Sequence, residues 1–123
     1  MAERRMISKS VFNNPQFTAL PKAAQLLYCH LVLETDDEGF IANVKAVQKG
    51  SGFYAKSLRA LQENHFIHIF DSGAGVIIHW FWMNKFKESK TRKTLHIAEK
   101  SMLTLDETMA YQLKSEASNT PLT

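Results

Sequence analysis

Residues 66–80 read FIHIFDSGAGVIIHW and constrain the fold more than any other part of this chain of 123 residues. Two apolar, β-prone runs flank the turn Asp-Ser-Gly-Ala-Gly. Its glycines tolerate positive φ, and its Asp and Ser side chains can bond to the turn backbone, so the pattern predicts a tight β-hairpin. A helical pattern directly precedes the first run. The chain is therefore expected to contain a helix followed at once by a hairpin.

Three helices are predicted before this hairpin. The first starts near Pro21 and has an apolar stripe at i, i+3, i+4 and i+7, formed by Ala24, Leu27, Tyr28 and Leu31. A minor strand at 39–41 follows and is expected to pair with a hairpin edge. Asn43 then caps a short helix that the glycines at 50 and 52 end.

The third helix follows that glycine turn, with Ala55, Leu58 and Leu61 pointing inward and Lys56, Arg59 and Glu63 pointing outward. Two short helices around a Gly-containing turn are typical of a helix-turn-helix. We therefore predict an α+β winged helix-turn-helix over residues 1–94, with three core helices and a β-hairpin wing. Residues 95–123 are predicted to form a C-terminal arm, with a short helix, and a linker.

Composition narrows the class of protein. The chain has no apolar run of the roughly 20 residues needed to cross a bilayer, and its start lacks the apolar core of a secretory signal. Its single cysteine, Cys29, fits a reducing compartment, and five histidines without a second thiol give no zinc-site spacing. We expect a cytoplasmic protein with no membrane contact, no metal and no cofactor.

The net charge of +3 is unevenly distributed and favours an acidic partner such as nucleic acid, although so small an excess is also common in proteins that bind nothing anionic. The candidate DNA-binding residues are those on the two short helices and in the basic tract after the hairpin, namely Lys45, Lys49, Tyr54, Lys56, Arg59, Lys85, Lys87, Lys90, Arg92 and Lys93. For Tyr54, stacking on DNA and packing as a helix-start staple are both open. The hairpin tip carries Asp71 and no cation, so the wing is not expected to enter a minor groove.

Other charged and aromatic residues have structural interpretations. The acidic loop at 34–38 is interpreted as solvated surface. Trp80 is expected in the core, whereas Trp82 is open to a stacking role beside the basic tract. Cys29 lies in an apolar helix, where inert thiols are far more common than activated ones. With no nucleophile motif, P-loop or metalloprotease motif, the chain is not expected to be an enzyme.

Several segments resemble one known family. MAERRMISKS, LPKAAQLLYCHL, DDEGFIANVKAV and FIHIFDSGAGVIIHW followed by Asn84 are similar to the N-terminal domain of phage replisome organisers, the DnaD-like replication-initiation proteins. The resemblance covers about residues 1–94. It implies a winged helix that binds double-stranded origin DNA, or assembles on it, and helps to recruit a helicase loader and helicase. It also implies self-association, for which the apolar arm offers a physical means.

Two alternatives remain open at this stage. The winged helix could serve as a protein-interaction or oligomerisation module without DNA binding of its own. It could also belong to a transcriptional regulator, because the fold is shared between these functions.

Overall fold

The computed structural model describes residues 5–83 and 93–115. Its helices are α1 (Lys9–Phe12), α2 (Pro15–Thr18), α3 (Lys22–Leu33), α4 (Val44–Gly50), α5 (Ala55–Glu63), α6 (Trp80–Met83) and α7 (Ile97–Lys100). Its strands are β1 (Phe40–Ile41), β2 (Ile67–Ile69), β3 (Gly75–Ile77), β4 (Leu103–Leu105) and β5 (Tyr111–Leu113). The predicted mixture of helix and strand in one small domain is confirmed.

Helix α3 is the centre of the core. The residues of its predicted stripe, Ala24, Leu27, Tyr28 and Leu31, are all 0% exposed. The ring of Phe17 meets that of Tyr28 edge-on with 5.2 Å between centroids, and burial raises the pKa of the Tyr28 hydroxyl. The periodicity of α3 therefore identified the face around which the other elements pack.

Three antiparallel strands form a sheet in the order β1-β3-β2. Phe40 lies opposite Val76, so the predicted pairing of the minor strand with a hairpin edge is confirmed. The second hairpin strand is shorter than the predicted 76–80, because the chain turns into α6 at Trp80. The carbonyl of Ile78 accepts a hydrogen bond from the backbone of Tyr111 at 2.8 Å, and Trp80 turns back into the core.

Helices α4 and α5 both pack on α3 and are joined by a tight turn. The Asn43 side chain caps α4 as predicted, by accepting from the backbone N–H of Ala46 at 3.1 Å. In the turn, Gly52 has φ +80°, and the Gln48 amide donates to the Phe53 carbonyl at 2.6 Å. These bonds fix the angle between the two helices.

The inner face of α5 differs from the prediction at one position. Leu58 and Leu61 are buried as expected, but Ala55 is exposed. Ala55 is the first residue of the helix, where the chain has only begun to turn over the core.

Residues 97–113 form α7 and an antiparallel β4–β5 hairpin. In this segment, for which a helix and an extended arm were predicted, Leu103 and Tyr111 are each 6% exposed and belong to the main hydrophobic core. The turn between the strands is held by Asp106 Oδ1, which accepts from the backbone N–H groups of Thr108 and Ala110. The segment thus packs on the core of its own chain.

Candidate nucleic-acid interface

Four of the predicted DNA-binding cations lie on the outer surfaces of α4 and α5, which we call the basic face: Lys45, Lys49, Lys56 and Arg59. All four are exposed, and within the described residues none of them forms an ion pair. On each helix the two cations are three or four residues apart and therefore share a face. The prediction that Lys56 and Arg59 point away from the core is confirmed.

The local sequence of α5 explains this orientation. Ser57, Leu58 and Leu61 are buried toward α3, so Lys56 and Arg59 must point to the opposite side. The turn before α5 is held by backbone and side-chain hydrogen bonds, and α5 therefore presents its cations from a rigid support. Such a face is suited to neutralising phosphates while a helix lies in a groove.

Tyr54 precedes α5 at its N-cap and is 76% exposed. The Lys56 ammonium lies 5.8 Å from the centroid of its ring, which is within reach of a cation–π contact. The ring is outside the core, so the packing-staple alternative is wrong. Contact of Tyr54 with DNA stays a prediction.

The predicted basic tract follows α6. Lys85, Lys87, Lys90 and Arg92 lie outside the described residues, and Lys93 is exposed. Of the two tryptophans that precede the tract, Trp80 is 1% exposed and belongs to the core, as predicted. Trp82 is half-buried, and its indole N–H donates to the carbonyl of Thr108 at 2.7 Å.

The hairpin tip packs against its own domain. The carbonyl of Gly73 accepts from the backbone of Val44 at 3.1 Å, and the Ser72 hydroxyl donates to Glu99 at 2.6 Å. The bond from Ser72 lowers the pKa of the exposed Glu99 carboxyl. Gly75 lies so close to α4 that an added Cβ would be 2.4 Å from a methyl carbon of Val44. The tip therefore braces α4 and α7.

The interpretation of the acidic loop as solvated surface is wrong for its last residues. Glu38 is 7% exposed; its carboxylate forms an ion pair with Lys100 and accepts from the backbone N–H of Thr94. Asp36 accepts from the backbones of Glu38 and Phe40 and from the Thr94 hydroxyl. The loop thus fastens the segment that begins at Thr94 to the core. We call Asp36, Asp37 and Glu38 with their partners the acidic hub.

Two further contacts complete the acidic hub. Arg5 donates to Asp37 at 3.1 Å and lies over the ring of Trp80, 5.5 Å from its centroid. The buried hydroxyl of Tyr111 donates to the Glu38 carbonyl at 2.8 Å. Burial, with the Glu38 and Asp36 carboxylates nearby, raises the pKa of Tyr111. Two of the acidic side chains are therefore paired with cations of the same chain.

Sequence reasoning missed the acidic hub because its partners are distant in the chain. Arg5 and Asp37 are separated by 32 positions, and Lys100 and Glu38 by 62. The available signal was local: Asp36 stands at the start of a turn that leads through a glycine into a strand, where Asp side chains commonly bond to the backbone.

The residues considered for metal binding and covalent chemistry are not assembled into a site. No group of three or more His, Cys, Asp or Glu residues suited to a metal ion occurs in residues 5–83 and 93–115. Cys29 is half-buried, its thiol lies 3.5 Å from the Gln25 carbonyl, and burial raises its pKa. A raised pKa reduces the thiolate fraction that a nucleophile needs.

Over the part of the chain that the structure describes, every helix is too short or too polar to cross a membrane.

Comparisons with protein-family models, curated proteins and solved structures find no match to this chain. The candidate function therefore rests on its residues and geometry.

Proposed function

We propose that this chain is a winged-helix domain that binds double-stranded origin DNA during the initiation of phage or prophage replication. The observation that carries the fold proposal is the order α3-β1-α4-α5-β2-β3 with β3 central in the sheet. In this arrangement α4 and α5 form the helix-turn-helix and β2–β3 the wing.

DNA binding is supported by the basic face. Lys45, Lys49, Lys56 and Arg59 are exposed and lack ion-pair partners within the described residues, so binding a phosphate breaks no ion pair there. In our proposal α5 enters the major groove and α4 contacts the backbone. Because the hairpin tip is bonded to α4 and α7 and has no cation, the wing supports the helices without reading the minor groove.

The replication role is supported by the resemblance of residues 1–94 to phage replisome organisers. In that role the bound domain would self-associate at the origin and help to recruit a helicase loader or helicase. The proposed activity is binding, without catalysis; the half-buried Cys29 with its raised pKa is in keeping with this.

One alternative has an observation in its favour. Leu95 and Ile97, in the segment beyond the hairpin, are 91% and 72% exposed, which is unusual for large apolar side chains and favours contact with protein. A winged helix used only for self-association or for holding a replication partner would use this surface and would leave the basic face unoccupied.

Fluorescence anisotropy with labelled duplexes tests the DNA-binding proposal. The chain is titrated into duplex from the origin of the replicon that encodes it and into random duplex of equal length. If the four cations meet four phosphates, affinity should fall about a hundredfold between roughly 50 and 200 mM salt. No binding at the lower salt concentration would refute DNA binding and favour the interaction module.

Footprinting on the replicon that encodes the chain separates replication from transcription. Protection inside the replication origin supports initiation. Protection confined to promoter regions would instead identify a transcriptional regulator, which is the other alternative that shares this fold.

A further inference from the structure

A groove of about 710 Å³ lies between the end of α5, β2 and the β4–β5 hairpin, and no residue of the basic face is among the described residues that line it. Its lining includes the side chains of Glu63, His79, Trp82 and Asp106. Among the described residues that line it, none is a lysine or arginine. The groove is therefore unsuited to phosphate and belongs to a different kind of contact from the basic face.

The floor of this groove contains a histidine whose hydrogen bonding is incomplete. The imidazole of His79 lies between the rings of Phe66 and Trp82, with centroid distances of 5.8 and 4.5 Å. Its Nδ1 is buried without a hydrogen-bond partner in the described residues. Burial lowers the pKa of His79 although Asp106 is nearby, so the ring is neutral at pH 7 and adds no positive charge to the groove.

The carboxylate of Asp106 is held in a fixed orientation beside this ring. The hydrogen bonds that it accepts, from Thr108 and Ala110, all go to Oδ1. Burial alone would raise its pKa, but the hydrogen bonds from Thr108 and Ala110 lower it, so Asp106 is ionised. Its Oδ2 accepts no hydrogen bond from the described residues. Glu63 supplies a second carboxylate on the groove wall.

We propose that this groove binds an arginine side chain of a partner protein. The guanidinium plane would stack beside Trp82, whose ring is oriented by the bond from its indole N–H to Thr108, and would donate to Asp106 and Glu63. Arginine fits better than lysine because the site combines flat aromatic walls with acceptor oxygens, which matches a planar fork of donors. The lack of lysine and arginine among the described lining residues, together with the two carboxylates, favours a cationic protein side chain over nucleic acid.

Nuclear magnetic resonance of the ¹⁵N-labelled chain tests this proposal with N-acetyl-arginine methylamide as the probe. The neutral analogue N-acetyl-citrulline methylamide is the matched control for charge. The indole N–H signals report the site, since the chain has only two tryptophans. The arginine probe should shift the Trp82 signal in the millimolar range and leave Trp80, which is buried and bonded to Asp37, unchanged. Equal shifts with the two probes would overturn the proposal.

Carboxylate substitutions provide the second part of the test. The double variant Glu63→Gln and Asp106→Asn should weaken probe binding at least about tenfold, as expected when charge-assisted hydrogen bonds are removed. Asp106→Asn keeps an acceptor at Oδ1, so the turn keeps its bonds. Glu107→Gln, at an exposed carboxylate outside the groove, should bind like the unmodified chain. Unchanged affinity in the double variant, or in Glu63→Gln alone if the double variant does not fold, would also overturn the proposal.

Discussion

The acidic hub and the basic face both contain charged residues that lie close together in the sequence, but the environments of their side chains are opposite. In the acidic hub, Glu38 is buried and ion-paired, and Asp37 is bonded to Arg5. On the basic face, Lys56 and Arg59 are exposed and have no ion-pair partner among the described residues.

A run of like charges in the sequence therefore does not by itself show whether the side chains are paired within the domain or exposed. The carboxylates of the acidic hub bind groups of the same chain and hold the segment from Thr94 onward against the core. The cations of the basic face form no ion pair with the described residues, so they remain available to bind an external anion. Substitutions in the acidic hub should therefore change stability, and those on the basic face should change binding.

The largest effect is expected for Gly39→Ala. Gly39 has φ +91°, and an added Cβ would lie 2.6 Å from the indole of Trp80. An alanine backbone at this positive φ is strained, and its Cβ would overlap a buried ring. Together these effects should lower the free energy of unfolding, measured by urea denaturation, by about 4 kcal/mol. The control is Gly52→Ala beside the basic face, where φ is +80° but the space is open; it should cost about 1 kcal/mol. Equal losses would mean that Trp80 can move aside.

The second-largest loss of stability is expected for Glu38→Ala. The substitution leaves the buried backbone N–H of Thr94 without its acceptor and Lys100 without its partner. Because Lys100 remains about half exposed, we expect a loss of about 2–3 kcal/mol, set mainly by the unsatisfied N–H group. Glu34→Ala, at an exposed acid of the same loop, should stay within about 0.5 kcal/mol. If both variants unfold at the same urea concentration, the hub is not a stabilising element.

The double substitution of Lys56 and Arg59 by alanine should change DNA binding and leave stability nearly unchanged, which is the reverse of the effect expected for Glu38→Ala. Duplex affinity should fall about tenfold or more, and the slope of log affinity against log salt should drop by about 2, because two phosphate contacts are lost. Stability should stay within about 0.5 kcal/mol, since both side chains are exposed.

Alanine at Lys22 and Lys114, two exposed cations on other elements, is the charge-matched control for this variant. It should leave affinity nearly unchanged. A similar loss with both pairs would show that net charge, rather than the basic face, drives binding.

The smallest effect is expected for Tyr111→Phe. This removes only the buried hydroxyl that donates to the Glu38 carbonyl, so the loss should be about 1 kcal/mol. Tyr54→Phe, which removes a hydroxyl from an exposed ring beside the basic face, should leave stability unchanged by thermal unfolding. If Tyr111→Phe left the stability unchanged, apolar packing alone would hold the β4–β5 hairpin to the core.

Local patterns were sufficient to predict much of the fold. The stripe of α3 and the Asn43 cap depend on simple periodicity or on residues close in sequence. The β-prone runs that became β1 and the hairpin were also visible locally, although their pairing joins residues distant in the chain. The end of β3 was not predictable in this way, because Ile78 bonds to Tyr111 from a later segment. For the candidate site, the outward direction of Lys56 and Arg59 followed from the buried leucines of α5.

The mixture of helix and strand and the outward-facing cations of α5 follow from local sequence, because periodicity and capping act over a few residues. Which charged side chains form ion pairs among the described residues depends instead on long-range contacts. Glu38 and Asp37 found cations 62 and 32 positions away, and burial fixed them there. Residues 103–113 likewise pack on the core because Leu103 and Tyr111 cover an apolar surface there. This is a contact between segments distant in sequence, so no local pattern predicts it.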